Sequence, residues 1–85
     1  MIYEIEFAKS VLKALKKIST QDQVRILRSV QNLKHNPRKG NVRCMVGSTA
    51  WRLRVGDYRV IYDINDSTLS ILILKVGHRR EVYKR

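Results

Sequence analysis

The chain has 85 residues, 44% of them hydrophobic, which is enough for one domain with a modest core and argues against general disorder. Its 18 lysines and arginines against 7 acidic residues give a formal charge of +11, which favours a polyanionic partner: nucleic acid, the ribosome surface, an acidic protein or anionic lipid. No apolar run approaches the roughly 20 residues that cross a bilayer. The single Cys44 excludes an internal disulfide. We expect a single cytoplasmic domain, residues 1–85, that does not bind membranes.

The front of the chain predicts a strand and two helices. "IYEIEF" alternates apolar and acidic residues, as a half-buried strand does. A helical period follows, in which lysines lie mostly opposite an apolar stripe. The stripe consists of Ala8, Val11, Leu12, Leu15 and Ile18. A second helix is predicted to begin at Thr20, with Gln23 completing a capping box, and to end in the loop "HNPRKGN".

The back half predicts strands: "VRCMV", "AWRLRV", "YRVIYDI", "LSILILKV" and a further short one in "EVY". Gly56-Asp57 is a two-residue link with glycine first, which suits a type II′ hairpin. The order β-α-α-β-β-β(-β) predicts an α+β fold. A small antiparallel sheet with an N-terminal strand would carry the two-helix hairpin on one face.

The hairpin register sorts the side chains between the two faces. With Gly56 and Asp57 as the loop, and residues 65–68 as the next loop, one face is nearly all apolar and must meet the helices. Trp51, Tyr58 and Tyr62 fall on that core face and are interpreted as packing residues. The other face is predicted to be open and to carry Arg52, Arg54, Arg59, Ile61, Leu72 and Leu74.

Arg54 and Arg59 lie directly opposite each other in this register, and like charges in that position destabilise a sheet. Exposed strands often carry arginine simply as solvated surface, so the pair alone does not establish a site. The tail "VGHRREVYKR" adds further guanidinium, imidazole and phenol groups, and Gly77 is predicted to bend them toward the arginine face. Together they would bind phosphate and stacked bases.

The stretches "YRVIYDI" and "KVGHRREVY" resemble the RelE/ParE superfamily of toxins from type II toxin–antitoxin systems, and within it the RelE-type messenger-RNA interferases. The resemblance covers nearly the whole chain and implies a RelE-like fold. It implies cleavage of messenger RNA in the ribosomal A site. It also implies silencing by a cognate acidic, RelB-like antitoxin in a heteromeric complex.

The resemblance also implies roles for individual residues. The positions that match the family's active site are Arg52, Arg54, Arg59, Arg79 and Tyr83, and the chemistry of the tail adds the other residues. The predicted catalytic set is Arg54, Arg59, Arg79, Tyr83 and His78, and the predicted RNA-binding set is Arg52, Arg80, Lys84 and Arg85. Better-known relatives carry lysine where this chain has Arg52 and Arg54. Because arginine does not release its proton at any working pH, neither residue is a general base here.

RNA cleavage without a metal requires attack of the 2′-OH on the adjacent phosphate, with the developing charge neutralised and the 5′-oxygen protonated. Arg54, Arg59 and Arg79 are predicted to bind the scissile phosphate, while Tyr83 stacks on a base or orients the 2′-OH. Histidine is the side-chain type that commonly exchanges protons near neutral pH, so His78 is the candidate general acid or base; an exposed residue that only contacts ribosomal RNA is the alternative. Glu81 is the weaker candidate for the base. No zinc-ligand spacing or Gly-rich phosphate loop is present, so we expect no metal or cofactor.

Two other functions remain open. A ParE-like toxin that poisons DNA gyrase would share the fold and need no nuclease site. A non-catalytic basic module would bind RNA or the ribosome and block translation without producing cut ends.

Overall fold

The computed structural model describes residues 2–82, which form five strands and three helices. In chain order the elements are β1 (Glu4–Phe7), α1 (Lys9–Lys16), α2 (Thr20–Asn32), β2 (Val42–Cys44), β3 (Trp51–Val55), β4 (Tyr58–Asn65), β5 (Ser70–His78) and α3 (Arg79–Val82). The α+β class and the two-helix hairpin that follows the first strand are as predicted. Residues 79–82 are helical, so the short last strand expected in "EVY" is wrong for the part of it that the structure describes.

The five strands form one sheet in the order β1-β5-β4-β3-β2. β2 to β5 are antiparallel, as expected, but β1 pairs with β5 in parallel. The two helices carry the chain from β1 at one edge to β2 at the other. Three successive reversals then bring it back, so that β5 runs in the same direction as β1. Sequential hairpins fix the antiparallel pairs, whereas the β1–β5 pair is set by the packing of the two helices across the sheet.

The helices and one face of the sheet enclose a single main core. Val11 and Leu15 of α1 and Ile26 and Val30 of α2 are its buried helical residues. The fully buried strand residues are Val60, Tyr62, Ile71 and Ile73, each at 0% exposure. Trp51 and Tyr58 are half-buried against this cluster, which confirms their interpretation as packing residues. The predicted core face of β3 and β4 is therefore correct.

A bulge interrupts the ladder between β4 and β5. Tyr62 faces Ile73 but Ile61 faces Lys75, so Leu74 is an extra residue on β5. The predicted register, with Tyr62 opposite Ile71, is off by two residues because the turn covers 66–69, where Leu69 has a φ of 51°. A register shift of two residues leaves each side chain of β5 on its predicted face of the sheet. From Lys75 onward, however, the bulge moves each side chain to the opposite face. Val76 and His78 consequently point toward the helices.

The open face has a small cluster of its own. Ile61 is only 8% exposed and lies against Ala50, with Met45 and Leu74 packed beside them. The expectation that Ile61 is exposed is therefore wrong, because the loop between β2 and β3 covers it. Leu72 keeps 37% of its surface exposed.

The cap of the second helix lies one residue before the predicted one. Ser19, not Thr20, is the N-cap, and its hydroxyl accepts a hydrogen bond from the Asp22 amide at 3.3 Å. Gln23 donates through Nε2 to the Ile18 carbonyl at 2.8 Å. Among the described residues, no helix has the length and apolar character needed to cross a membrane.

Candidate functional site

Four arginines line a cleft of about 360 Å³ on the open face. Arg52 and Arg54 come from β3, Arg59 from β4 and Arg43 from β2, and the remaining wall consists of Gly40, Asn41 and Val42. Period-two alternation puts these side chains on one face, because Leu53, Val55 and Val60 between them are buried in the core. None of the described residues that line this arginine cleft is acidic.

The strand register places two pairs of like charges directly opposite each other. Arg54 faces Arg59, as predicted, and Arg43 faces Arg52. Each such pair costs on the order of 0.2–1 kcal/mol relative to a neutral pair. A surface that holds four guanidinium groups at this cost is suited to an anion with several negative oxygens, such as a phosphate group.

The Arg59 guanidinium is held at the mouth of the β3–β4 hairpin. Its Nη1 donates to the carbonyls of Gly56 at 3.0 Å and Tyr58 at 2.9 Å. Gly56 has a φ of 58°, which agrees with the predicted type II′ turn and aims its carbonyl toward Arg59. A guanidinium has five N–H donors, so these bonds fix its orientation and leave donors for a ligand.

Arg79 joins the same hairpin through its backbone. The Arg79 amide donates to the Asp57 carbonyl at 2.7 Å, and Gly77, two residues before it, lies opposite Arg59. The side chains of Arg79 and Arg80 are exposed and neither is among the described residues that line the cleft. The predicted site residues Tyr83, Lys84 and Arg85 lie outside the described residues.

His78 does not lie with the arginines. Its ring meets the ring of Tyr58 edge-on, with centroids 5.9 Å apart, and it lines a groove with Lys13 of α1 and with Lys17, the residue after that helix. His78 also caps α3, because its Nδ1 accepts a hydrogen bond from the Arg80 amide at 3.3 Å. The predicted position is wrong because the bulge at Leu74 turns His78 to the helix side of the sheet.

The cleft therefore contains no described side chain that titrates near neutrality. Arginine stays protonated at any working pH, so the described part of the site binds and neutralises charge but does not exchange protons. Within the described part of the chain, no group of three or more His, Cys, Asp or Glu side chains is placed to hold a metal.

A second groove on the open face, of about 620 Å³, has the opposite charge. Glu6, Asp63 and Asp66 line it beside the half-exposed Leu72. Asp63 follows Arg59 by four residues on β4, so the sign of the surface changes along a single strand. A polyanion is attracted to the arginine cleft and repelled from this acidic groove, which limits the path it can take across the face.

Of the four arginines in the cleft, Arg43 is the one that the sequence did not lead us to predict. The alternation in "VRCMV" puts Arg43 on the face opposite the half-buried Val42, so the signal was present. The pairing partner of this three-residue strand was not predictable, because the loop that joins it to β3 follows no standard hairpin length.

Comparison with known proteins agrees with this architecture. Residues 5–83 match the family described as the ParE toxin of the type II toxin–antitoxin system parDE. The RelE1 protein of Methanocaldococcus jannaschii is 31% identical, and the alignment covers 99% of this chain and 98% of that protein.

Two solved structures show the same fold. The archaeal RelE–RelB complex from Pyrococcus horikoshii contains a chain that is 34% identical, with a TM-score of 0.81 over 93% of this chain and 97% of the other. The toxin–antitoxin complex RelBE2 from Mycobacterium tuberculosis contains a chain with a TM-score of 0.84 over 93% of this chain and 100% of the other, at 22% identity. The chain therefore belongs to the RelE/ParE superfamily of toxins of type II toxin–antitoxin systems.

Proposed function

We propose that the chain is a RelE-type endoribonuclease that cuts messenger RNA on the ribosome and thereby stops translation. The observation that carries the proposal is the arginine cleft, where four guanidinium groups converge and two opposed pairs of them face each other across the strands. An arrangement that is unfavourable for the sheet and favourable for a phosphate group is typical of a site selected for binding.

In the proposed reaction, the 2′-oxygen of one nucleotide attacks the adjacent phosphorus, and the bond from phosphorus to the 5′-oxygen breaks. The 2′-OH proton passes to solvent and the leaving 5′-oxygen takes one up. Arg54 and Arg59 bind the oxygens of the scissile phosphate, while Arg52 and Arg43 hold the neighbouring backbone. These contacts lower the barrier by neutralising charge that grows in the transition state.

The tail completes the proposed site. The bond from the Arg79 amide to Asp57 keeps the start of α3 at the hairpin that presents Arg59. We assign Arg79 to the scissile phosphate and Tyr83 to the 2′-OH or a stacked base, with Arg80, Lys84 and Arg85 contacting RNA. His78 has no part in this mechanism, because it faces α1.

Ribosome dependence follows from the same chemistry. A cleft lined by arginines neutralises charge but, in its described part, supplies no general base, so its rate depends on a substrate already held in line. The ribosome presents messenger RNA in a fixed conformation. We therefore expect faster cutting of RNA in a translating ribosome than of the same RNA free in solution.

The proposed protein partner is an acidic, RelB-like antitoxin. The Pyrococcus horikoshii and Mycobacterium tuberculosis relatives were solved as toxin–antitoxin complexes. A formal charge of +11 favours a partner of opposite sign.

A ParE-like action on DNA gyrase is the second candidate, because the matching family is described by the ParE toxin. A phosphate-binding cleft also suits DNA, so the two candidates differ in the product they leave. A non-catalytic RNA-binding module would leave neither product.

Expression of the chain without antitoxin separates these functions. We expect new 5′ ends in messenger RNA, within translated regions, and no trapped gyrase–DNA complexes in the same cells. Trapped gyrase–DNA with intact messenger RNA would establish the ParE-like function instead. Arrested translation with neither product would establish the non-catalytic module.

A further inference from the structure

We propose that the ion pair between Arg38 and Asp66 positions one wall of the arginine cleft, so that both residues act on phosphate binding without touching the ligand. The wall consists of Gly40 and Asn41, which line the cleft but belong to the loop between α2 and β2. The consequence for RNA rests on the proposed function, whereas the anchoring of the wall is a property of the fold.

Two hydrogen bonds to backbone carbonyls hold the loop between α2 and β2 before the ion pair is reached. Near its start the Tyr3 amide donates to the Lys34 carbonyl at 2.9 Å. At its centre the Tyr62 hydroxyl donates to the Pro37 carbonyl at 2.5 Å, and Tyr62 is fully buried. Burial raises the pKa of the Tyr62 phenol well above its ordinary value, so the hydroxyl keeps its proton and remains a donor.

The next residue, Arg38, is held by a fork of two bonds to one carboxylate. Its Nη2 lies 2.8 Å from Asp66 Oδ2 and its Nη1 lies 3.3 Å from Oδ1. The Tyr3 hydroxyl also donates to Asp66 Oδ1, at 2.7 Å. Hydrogen bonds from Arg38 and then Tyr3 hold the pKa of Asp66 below its ordinary value. Asp66 lies in the turn after β4, so the fork ties the loop to the sheet.

The cleft wall follows Arg38 by two residues. Gly40 has a φ of 98°, a conformation that glycine reaches without steric cost, and no atom of the described residues, its chain neighbours aside, lies within 4 Å of where its Cβ would be, so side-chain packing does not hold this part of the backbone. Beyond it, the Asn41 carbonyl accepts a hydrogen bond from the Arg54 amide at 2.9 Å. Gly40 is thus held from both sides, by Arg38 through Asp66 and by Asn41 through β3.

Asp66→Asn tests the proposal, because it keeps the size and the acceptor for Tyr3 but removes the carboxylate that pairs with Arg38. Loss of the anchor should speed amide exchange at Arg54, whose N–H donates to the Asn41 carbonyl, about threefold, the scale expected of an exposed ion pair. It should also weaken sulfate binding in the cleft. A simple charge effect has the opposite sign, since removing a carboxylate makes the protein more positive and anions bind it more tightly.

Asp22→Asn is the matched control. It removes the same charge from another exposed ion pair, that of Asp22 with Arg25 at 3.7 Å on α2, far from the loop in sequence. We expect this variant to bind sulfate as tightly as the wild type or more tightly, with unchanged amide exchange at Arg54. Asp66→Glu, which restores a carboxylate, should recover most of the affinity that Asp66→Asn loses.

The experiment compares hydrogen exchange, sulfate affinity and RNA cleavage for these variants. Unchanged amide exchange at Arg54 in Asp66→Asn, or sulfate binding that rises as it does in Asp22→Asn, would overturn the positioning role. If exchange and sulfate affinity change as expected but the wild type does not cut RNA, the positioning role stands and the proposed nuclease function fails.

Discussion

The two faces of the sheet are built from the same strands but differ in the residues they carry and in how those residues are packed. On the helix side, Val60, Tyr62, Ile71 and Ile73 are fully buried and fill one continuous core. On the open side, β2, β3 and β4 carry four arginines that line a cleft, and these form two pairs that face each other across the strands. One face is arranged for packing, while the other holds an arrangement that packing does not require.

The difference indicates where stability and function lie in this chain. Every buried residue in the described part of the molecule is apolar or hydrogen-bonded, as a stable core demands. The arginine cleft contributes repulsion to the fold and attraction to an anion. Substitutions on the helix side should therefore lower stability, and substitutions in the cleft should lower activity while leaving stability unchanged.

The largest effect on stability is expected for Ile73→Ala. Ile73 is 0% exposed at the centre of the core, so its truncation should cost about 2–5 kcal/mol in the free energy of unfolding. For a domain of this size that lowers the melting temperature by roughly 10 °C or more. Leu72→Ala, one residue away on the open face, is the control and should melt near the wild type. Equal losses in both variants would contradict the division between the faces.

The largest effect on activity is expected for the double variant Arg54→Gln with Arg59→Gln. Removing two charge-stabilising groups should slow RNA cleavage by about 100-fold or more, with the melting temperature unchanged or raised. Arg28→Gln removes a charge from the exposed surface of α2 and serves as the control. Cleavage that falls equally in the control would show that overall charge, not the cleft, controls the reaction.

Arg43→Gln should have a smaller effect, confined to RNA binding. If Arg43 contacts one phosphate of a single strand, its loss lowers the slope of log affinity against log salt by about 0.7. The measurement is a salt titration of binding to a single-stranded RNA. Lys16→Gln on α1 removes the same charge away from the cleft, and an equal loss of slope in that variant would argue against a contact at Arg43.

The smallest effect on cleavage is expected for His78→Asn. His78 lies on the helix side of the sheet, where its Nδ1 accepts a hydrogen bond from the Arg80 amide. Asparagine preserves a side-chain acceptor for that bond. The rate and its pH dependence should match the wild type. Loss of one limb of the pH–rate profile would show that His78 reaches the reacting groups.

Much of the fold was predictable because its local signals agree. The alternation in β3 and β4 and the glycine of the hairpin fixed the register that puts Arg54 opposite Arg59. The parallel pairing of β1 was not predictable in the same way, since β1 and β5 lie at opposite ends of the chain and no hairpin joins them.

The site was predictable up to the bulge. The bulge lies on β5 and therefore does not affect the alternation in β3 and β4. That alternation correctly predicts that the cleft contains Arg52, Arg54 and Arg59. His78 follows the bulge, and a single extra residue, Leu74, moves its side chain to the other face. The signal for this bulge was present in "ILILKV", because an uninterrupted strand would put Lys75 on the core face and Val76 on the open face.

The central claim is that the arginines of the open face are held together to bind phosphate groups. Thermal melts of the wild type and Arg54→Gln, with and without sulfate, test it most directly. Without sulfate the variant should melt at or above the wild type, because the repulsion between Arg54 and Arg59 is relieved by roughly 0.2–1 kcal/mol. With sulfate the wild type should gain more, because only it has the full cluster. A variant that melts well below the wild type, with both proteins equally stabilised by sulfate, would contradict the account.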